Sequence, residues 1–261
     1  MNRREFVKYL GATSIYIGAV SCASTGVFRK KHNEEICREA WKSIANKGEA
    51  FNYVTPDKSL PNVFIYGDSI SIGYTSTVRE RLLGKANVFR FYKNGQSSDK
   101  FISFMDKMKK TMFQPYLKEG WKFDWDVIHF NVGLHDLKYV KKGKLDKING
   151  KQVNRIEVYK TNIDKICIYL MQEFPKAKLI FATTTAVPEG AKGRFVGDSI
   201  KYNKAAREVL TKYPSIGVND LYGFTKSNSS DWYIKQGNVH YNSLGKLNQG
   251  KQVEKVIAEN L

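Results

Sequence analysis

NVFIYGDSI, residues 62–70, passes without a spacer from five apolar-rich positions into a Gly-Asp-Ser turn. The residues that follow, SIGYTSTVRERLLG (71–84), carry Ile72, Val78, Leu82 and Leu83 at helical spacing and stop at Gly84. The stretch therefore predicts a buried strand that turns at once into a helix. The alternation continues along the chain. Strands are expected at NVFRFY (87–92), DVIHFNVG (126–133), KLIFATTT (178–185) and SIGVND (215–220). Helices are expected at 98–112, 158–174, 199–213 and 243–261, with Pro175 and Pro214 closing two of them. The strands are apolar throughout and do not alternate with polar residues. This predicts a parallel sheet buried on both faces. The fold class is α/β, a parallel five-stranded sheet between helical layers. Functional residues of such sheets sit just beyond the carboxyl ends of the strands.

Ser69 stands at such a strand end, near a helix N-terminus whose free N–H groups favour negative charge. That is the place for an acyl-transfer nucleophile. GDSI occurs again at 197–200, but there it follows the loop GAKGRFV. Asp198 or Ser199 is then expected to cap a helix and to do no chemistry.

The chain of 261 residues is long enough for one large domain. Its 43 Lys and Arg against 25 Asp and Glu give a net charge of +18, which points to an anionic partner. The first 22 residues combine Arg3, Arg4 and Lys8 with a short apolar run, the anatomy of an export signal of twin-arginine type. Export argues against nucleic acid as the partner. Cys22 follows Ala19-Val20-Ser21 and is a candidate lipidation site, which would attach the protein to a membrane in the periplasm or cell envelope. Without residues 1–21 the chain loses three basic residues and one acidic residue and stands at +16. Residues 23–60 are expected to form a tether and a helix from Glu34 to Ala45, and residues 61–261 the main domain. Within it, 137–158 is an insertion rich in lysine with the turn signal Asn149-Gly150. It reads either as a solvated surface hairpin or as a basic flap beside a site.

GDSI after the first strand, Gly95 after the second, Gly133-Leu134-His135-Asp136 after the third and His240 before the last helix together resemble the SGNH (GDSL-type) hydrolases. The resemblance spans about residues 60–261. It implies the family's three-layer α/β/α sandwich on a flavodoxin-like parallel five-stranded sheet, and an esterase, with acetyl groups on polysaccharides among the family's substrates, and no cofactor. It implies Ser69 as nucleophile and His240 as general base. The N–H groups of Ser69 and Gly95 would hold the oxyanion. Two positions depart from the family pattern. His135 stands where the family has an oxyanion-binding Asn; it would donate an imidazole N–H, bond the loop, or meet an anionic substrate. No carboxylate lies two or three residues before His240, where Gly237 and Asn238 stand. Asn238, a backbone carbonyl or a more distant acid such as Asp231 would orient the ring, or activity would be low.

Lys138 and Arg194 follow strand ends and are candidate substrate contacts. Asp68 and Asp136 read as loop-fixing carboxylates and His129 as a core histidine. Trp121, Trp125 and Trp232 are candidates for stacking on sugar, Trp125 more readily for the core. No metal-ligand motif is present. The expected function is an exported serine esterase that deacylates a carbohydrate, with an acylated, anionic polysaccharide as substrate; the rival is a glycan-binding protein that has lost its chemistry.

Overall fold

The computed structural model describes residues 21–113 and 124–261. The apolar run expected to belong to an export signal, and Trp121, lie outside the described residues. Eight strands and eight helices are described. The main sheet contains β1 (Asn62–Tyr66), β2 (Asn87–Arg90), β3 (Val127–Phe130), β7 (Lys178–Ala182) and β8 (Gly217–Asn219) in the order β2-β1-β3-β7-β8, all parallel. Renumbered among themselves the five strands run 2-1-3-4-5, the flavodoxin-like order. The fold class expected from the sequence is the one observed.

One layer of helices contains α2 (Ser69–Arg81) packed against α8 (Ser243–Ala258). The other contains α3 (Phe101–Met112), α4 (Ile156–Glu173) and α5 (Asp198–Leu210). Every residue of β2 and β3 is buried, as is all of β1 after Asn62. Trp125 lies in this core, its ring 4.7 Å from Phe64 and 5.2 Å from Phe89. Trp232 is buried as well, against Phe224 at 5.6 Å. Neither ring is open to a sugar. The switch in strand order falls between β1 and β3, so the crevice of the sheet opens beside Ser69.

Four local expectations are corrected. The first helix, α1 (Ser21–Ile44), begins where a tether was expected; Arg29, Lys30 and Lys31 in that stretch are good helix formers. The insertion holds three short antiparallel strands, β4 (Tyr139–Lys141), β5 (Lys144–Leu145) and β6 (Lys151–Gln152), in the order β5-β4-β6. Its tight turn is Lys142-Gly143, with φ of 49° and 77°, the mirror-image turn that suits strand twist. Asn149-Gly150 lies instead in the longer link to β6, where the Asp146 carboxylate accepts from the N–H groups of Ile148 and Asn149. At the second GDSI the N-cap is Gly197, φ 87°, and no side chain caps the helix. Asp198 lies in the first turn, buried, where a carboxylate suits the helix dipole. Two short helices, α6 (Leu221–Lys226) and α7 (Ser229–Trp232), were not expected from the periodicity.

Candidate active site

The turn that carries Ser69 is built from three sides. Asp68 caps α2, its carboxylate accepting from the Ile70 N–H at 2.9 Å. Ser71 Oγ donates to the Asp68 carbonyl at 2.8 Å. Beneath both lies Arg90, fully buried in β2. Its guanidinium donates to the carbonyls of Gly67 and Asp68, each at 3.2 Å, to those of Phe91 at 2.7 Å and Lys93 at 2.9 Å, and to Ser71 Oγ at 2.8 Å. Burial pulls the Arg90 pKa down to about 9. This residue was missed in the sequence. Its signal was available: one charge inside an otherwise apolar, doubly covered strand.

His240 reaches Ser69 from the loop before α8. Its Nε2 lies 2.9 Å from Ser69 Oγ. On the other side of the ring, Nδ1 is 2.8 Å from Asn238 Oδ1. That same Oδ1 accepts from the His240 backbone N–H at 2.9 Å. The backbone N–H is an obligate donor, so the Asn238 atom facing it is the carbonyl oxygen. The oxygen therefore also faces Nδ1, and Nδ1 carries the ring proton. Nε2 is left with its lone pair aimed at the Ser69 hydroxyl. A neutral side chain has thus set the tautomer a general base needs. Burial holds the imidazole below its ordinary pKa; Asp68 opposes this, and Arg194 and Lys246 add to it.

Asp231 does not reach the ring. It lies on α7, exposed, with its side chain on Ser230 and its backbone carbonyl accepting from Asn242. The orienting position is already taken by Asn238.

Gly95 is placed beside the Ser69 turn, but its N–H donates to the Gly67 carbonyl at 2.9 Å. It is turned to that carbonyl and away from an oxyanion at Ser69. The position is closely packed: a Cβ there would come within 2.6 Å of the Tyr66 ring.

His135 follows β3, with its Nδ1 3.1 Å from Lys138 Nζ. An ammonium only donates, so Nδ1 accepts and the ring proton sits on Nε2. Burial first, then the neighbouring Lys138, Arg194 and His240, lower its pKa to about 4 against the pull of Asp68. His135 is thus a neutral N–H donor at pH 7 in the electrostatic neighbourhood of His240. Its loop is held by Asp136, which accepts from Ser98 N at 3.0 Å and Asn154 Nδ2 at 2.7 Å.

Arg194 Nε donates to the Leu134 carbonyl at 3.0 Å, next to His135. His129 is a core residue, its Nε2 3.1 Å from Asn219 Nδ2. A pocket of about 180 Å³ opens at Ser69 and His240, walled by Ile70, Ile72, Ile234 and Tyr241, with Lys246 at its edge. Among the described residues no group of three or more His, Cys, Asp or Glu is arranged to hold a metal ion.

No protein-family model matches the chain, and no curated sequence does. Solved structures do. It is similar to a lipase/acylhydrolase from Enterococcus faecalis, at 16% identity over 77% of this chain and 97% of that one, TM-score 0.58. An acetylxylan esterase from Geobacillus stearothermophilus matches at 12% identity over 76% and 94%, TM-score 0.54. The C-terminal catalytic domain of peptidoglycan O-acetyltransferase A from Streptococcus pneumoniae matches at 15% identity over 77% and 94%, TM-score 0.51. The fold is that of the SGNH hydrolases.

Proposed function

We propose that the protein is a serine esterase that removes a small acyl group, acetyl above all, from a hydroxyl of a carbohydrate. The observation that carries this reading is the aligned chain Asn238–His240–Ser69 with its fixed tautomer. Esterases of acetylated xylan are among the proteins that share the fold. Ser69 Oγ attacks the ester carbonyl carbon and its proton passes to His240 Nε2. The oxyanion forms at the N-terminus of α2, where the Ser69 N–H and the His135 Nε2–H donate to it. Collapse breaks the C–O bond to the sugar, whose oxygen takes the proton from His240. The acyl group is left on Ser69, with its apolar end in the pocket walled by Ile70, Ile72 and Ile234. His240 Nε2 then takes a proton from water as the water oxygen bonds to the acyl carbon; the acyl C–Oγ bond breaks, Ser69 Oγ takes that proton back from His240, and acetate leaves.

Acetate release from a panel of acetylated glycans tests the proposal. The wild type is expected to release acetate, and Ser69→Ala to be inactive. A non-catalytic glycan-binding role is the second reading, favoured by the neutral Asn238 and by the Gly95 N–H facing Gly67. A fluorophosphonate separates the two: Ser69 becomes labelled if it is an activated nucleophile and stays unlabelled if the protein only binds. We also infer that residues 1–22 direct export to the cell envelope and that Cys22 carries a lipid. Cys22→Ser should then move the protein from the membrane fraction to the soluble one.

A further inference from the structure

Arg194 is 8% exposed, yet among the described residues none of the ion pairs includes it. The same holds for half-buried Lys138, whose ammonium faces His135 Nδ1. The carboxylate that acts on both is Asp68, beyond ion-pair distance and engaged with the N-terminus of α2. A guanidinium withdrawn from water without a counter-ion is costly, and the fold gains only one hydrogen bond from it, at Nε. That bond fixes the plane of the fork and leaves both terminal nitrogens without a protein partner among the described residues. Two parallel N–H donors of this kind match a carboxylate. The fork is anchored one residue from His135, and Arg194 acts electrostatically on His240. The apolar pocket at Ser69 includes neither Arg194 nor Lys138 in its wall.

We propose that Arg194 and Lys138 form a carboxylate subsite, so that the alcohol half of the substrate is an acidic sugar whose ester lies near its carboxylate. This rests on the esterase reading of Ser69 and His240. The acyl group takes the apolar pocket and the uronate carboxylate takes the fork. Binding the anion also supplies the counter-ion that the buried guanidinium lacks.

The test is a matched pair of substrates for the full chain: an O-acetylated methyl glucuronoside and its neutral uronate methyl ester. At low salt the free acid is expected to have a kcat/KM roughly 10- to 100-fold above that of the ester, from charge-assisted hydrogen bonds. The ratio should fall towards one in Arg194→Gln and partly in Arg194→Lys, which keeps the charge and loses the fork. A ratio near one in the wild type overturns the proposal, as does a preference that survives in both Arg194→Gln and Lys138→Met. A succinylated neutral sugar preferred over the acetylated uronide also overturns it, because the anion would then belong to the acyl half. Wild-type inhibition by non-acetylated methyl glucuronoside, but not by its methyl ester, supports the subsite without any variant. If Ser69 is unlabelled and neither ester is cleaved, the esterase reading fails alone. Calorimetric titration of methyl glucuronoside then decides the subsite: binding lost in Arg194→Gln supports it, and no binding to the wild type overturns it.

Discussion

Asn238 differs from a carboxylate in one respect that matters at the residue scale. It orients the His240 ring but would lend no charge to the imidazolium of the proposed mechanism. When Asn replaces the Asp of a serine-protease triad, the loss of about ten-thousandfold reflects a wrong tautomer. Here the His240 backbone N–H prevents that, because it turns the Asn238 carbonyl towards Nδ1. Asn238→Asp should therefore keep the geometry and add charge, raising kcat by about tenfold or more in steady-state assays at pH 8 and moving the acid limb upward. Asn238→Ala should lower kcat instead. The site was legible in part. Ser69 and His240 stand out by their order along the chain, but the tautomer depends on a backbone N–H that no side-chain pattern records. The proton on His135 Nε2 is likewise set by where the Lys138 ammonium points.

The pH profile belongs to the same scale. In the proposed mechanism His240 works as a neutral base, so activity should be present above its pKa and lost as pH falls through it. Burial, Arg194 and Lys246 hold that pKa below 6.5. The acid limb of kcat/KM should have its midpoint below 6.5, and Lys246→Met should shift it upward. Asp68→Asn should shift it downward while keeping α2 capped, since Asn caps as well as Asp.

At the scale of elements, β1 and the turn after it were readable because a parallel strand buried on both faces leaves a continuous apolar run. Helices long enough to repeat their apolar face were readable too. The six-residue α6 and the four-residue α7 complete too few turns to show a period. The insertion was misread at its turn: Asn149-Gly150 carries the stronger signal, but Lys142-Gly143 holds the positive φ angles. Arg90 shows how much a single side chain from β2 does for a turn after β1. Arg90→Met takes a donor from the carbonyls of Phe91 and Lys93 and one of the donors from those of Gly67 and Asp68, which keep the Gly95 N–H and the Ser71 hydroxyl. It should lower stability by about 3 kcal/mol and the Tm by roughly 6–12 °C, measured by thermal unfolding.

The whole molecule carries a net charge of +18, and the insertion concentrates part of it. Lys141, Lys142, Lys144, Lys151 and Arg155 are exposed, and among the described residues none makes an ion pair. Attraction between such charges and a polyanion is screened within about 8 Å at physiological salt. Raising salt from 20 to about 500 mM should then depress kcat/KM on an acidic acetylated polymer far more than on a neutral aryl acetate. Equal sensitivity in the two assays would show that the surface charge plays no part in capture.

The insertion is not a free appendage. The Tyr139 N–H donates to the Gly193 carbonyl at 2.7 Å, and the Tyr139 and Phe195 rings meet edge to face at 5.1 Å. Gly193 and Phe195 are the immediate neighbours of Arg194. A long glycan draped over the outer lysines would thus lean on the same brace that aims the guanidinium, whereas a monosaccharide would touch the guanidinium alone. Chain length would then register at the reaction centre through leverage, without any sugar ring beyond the first entering it.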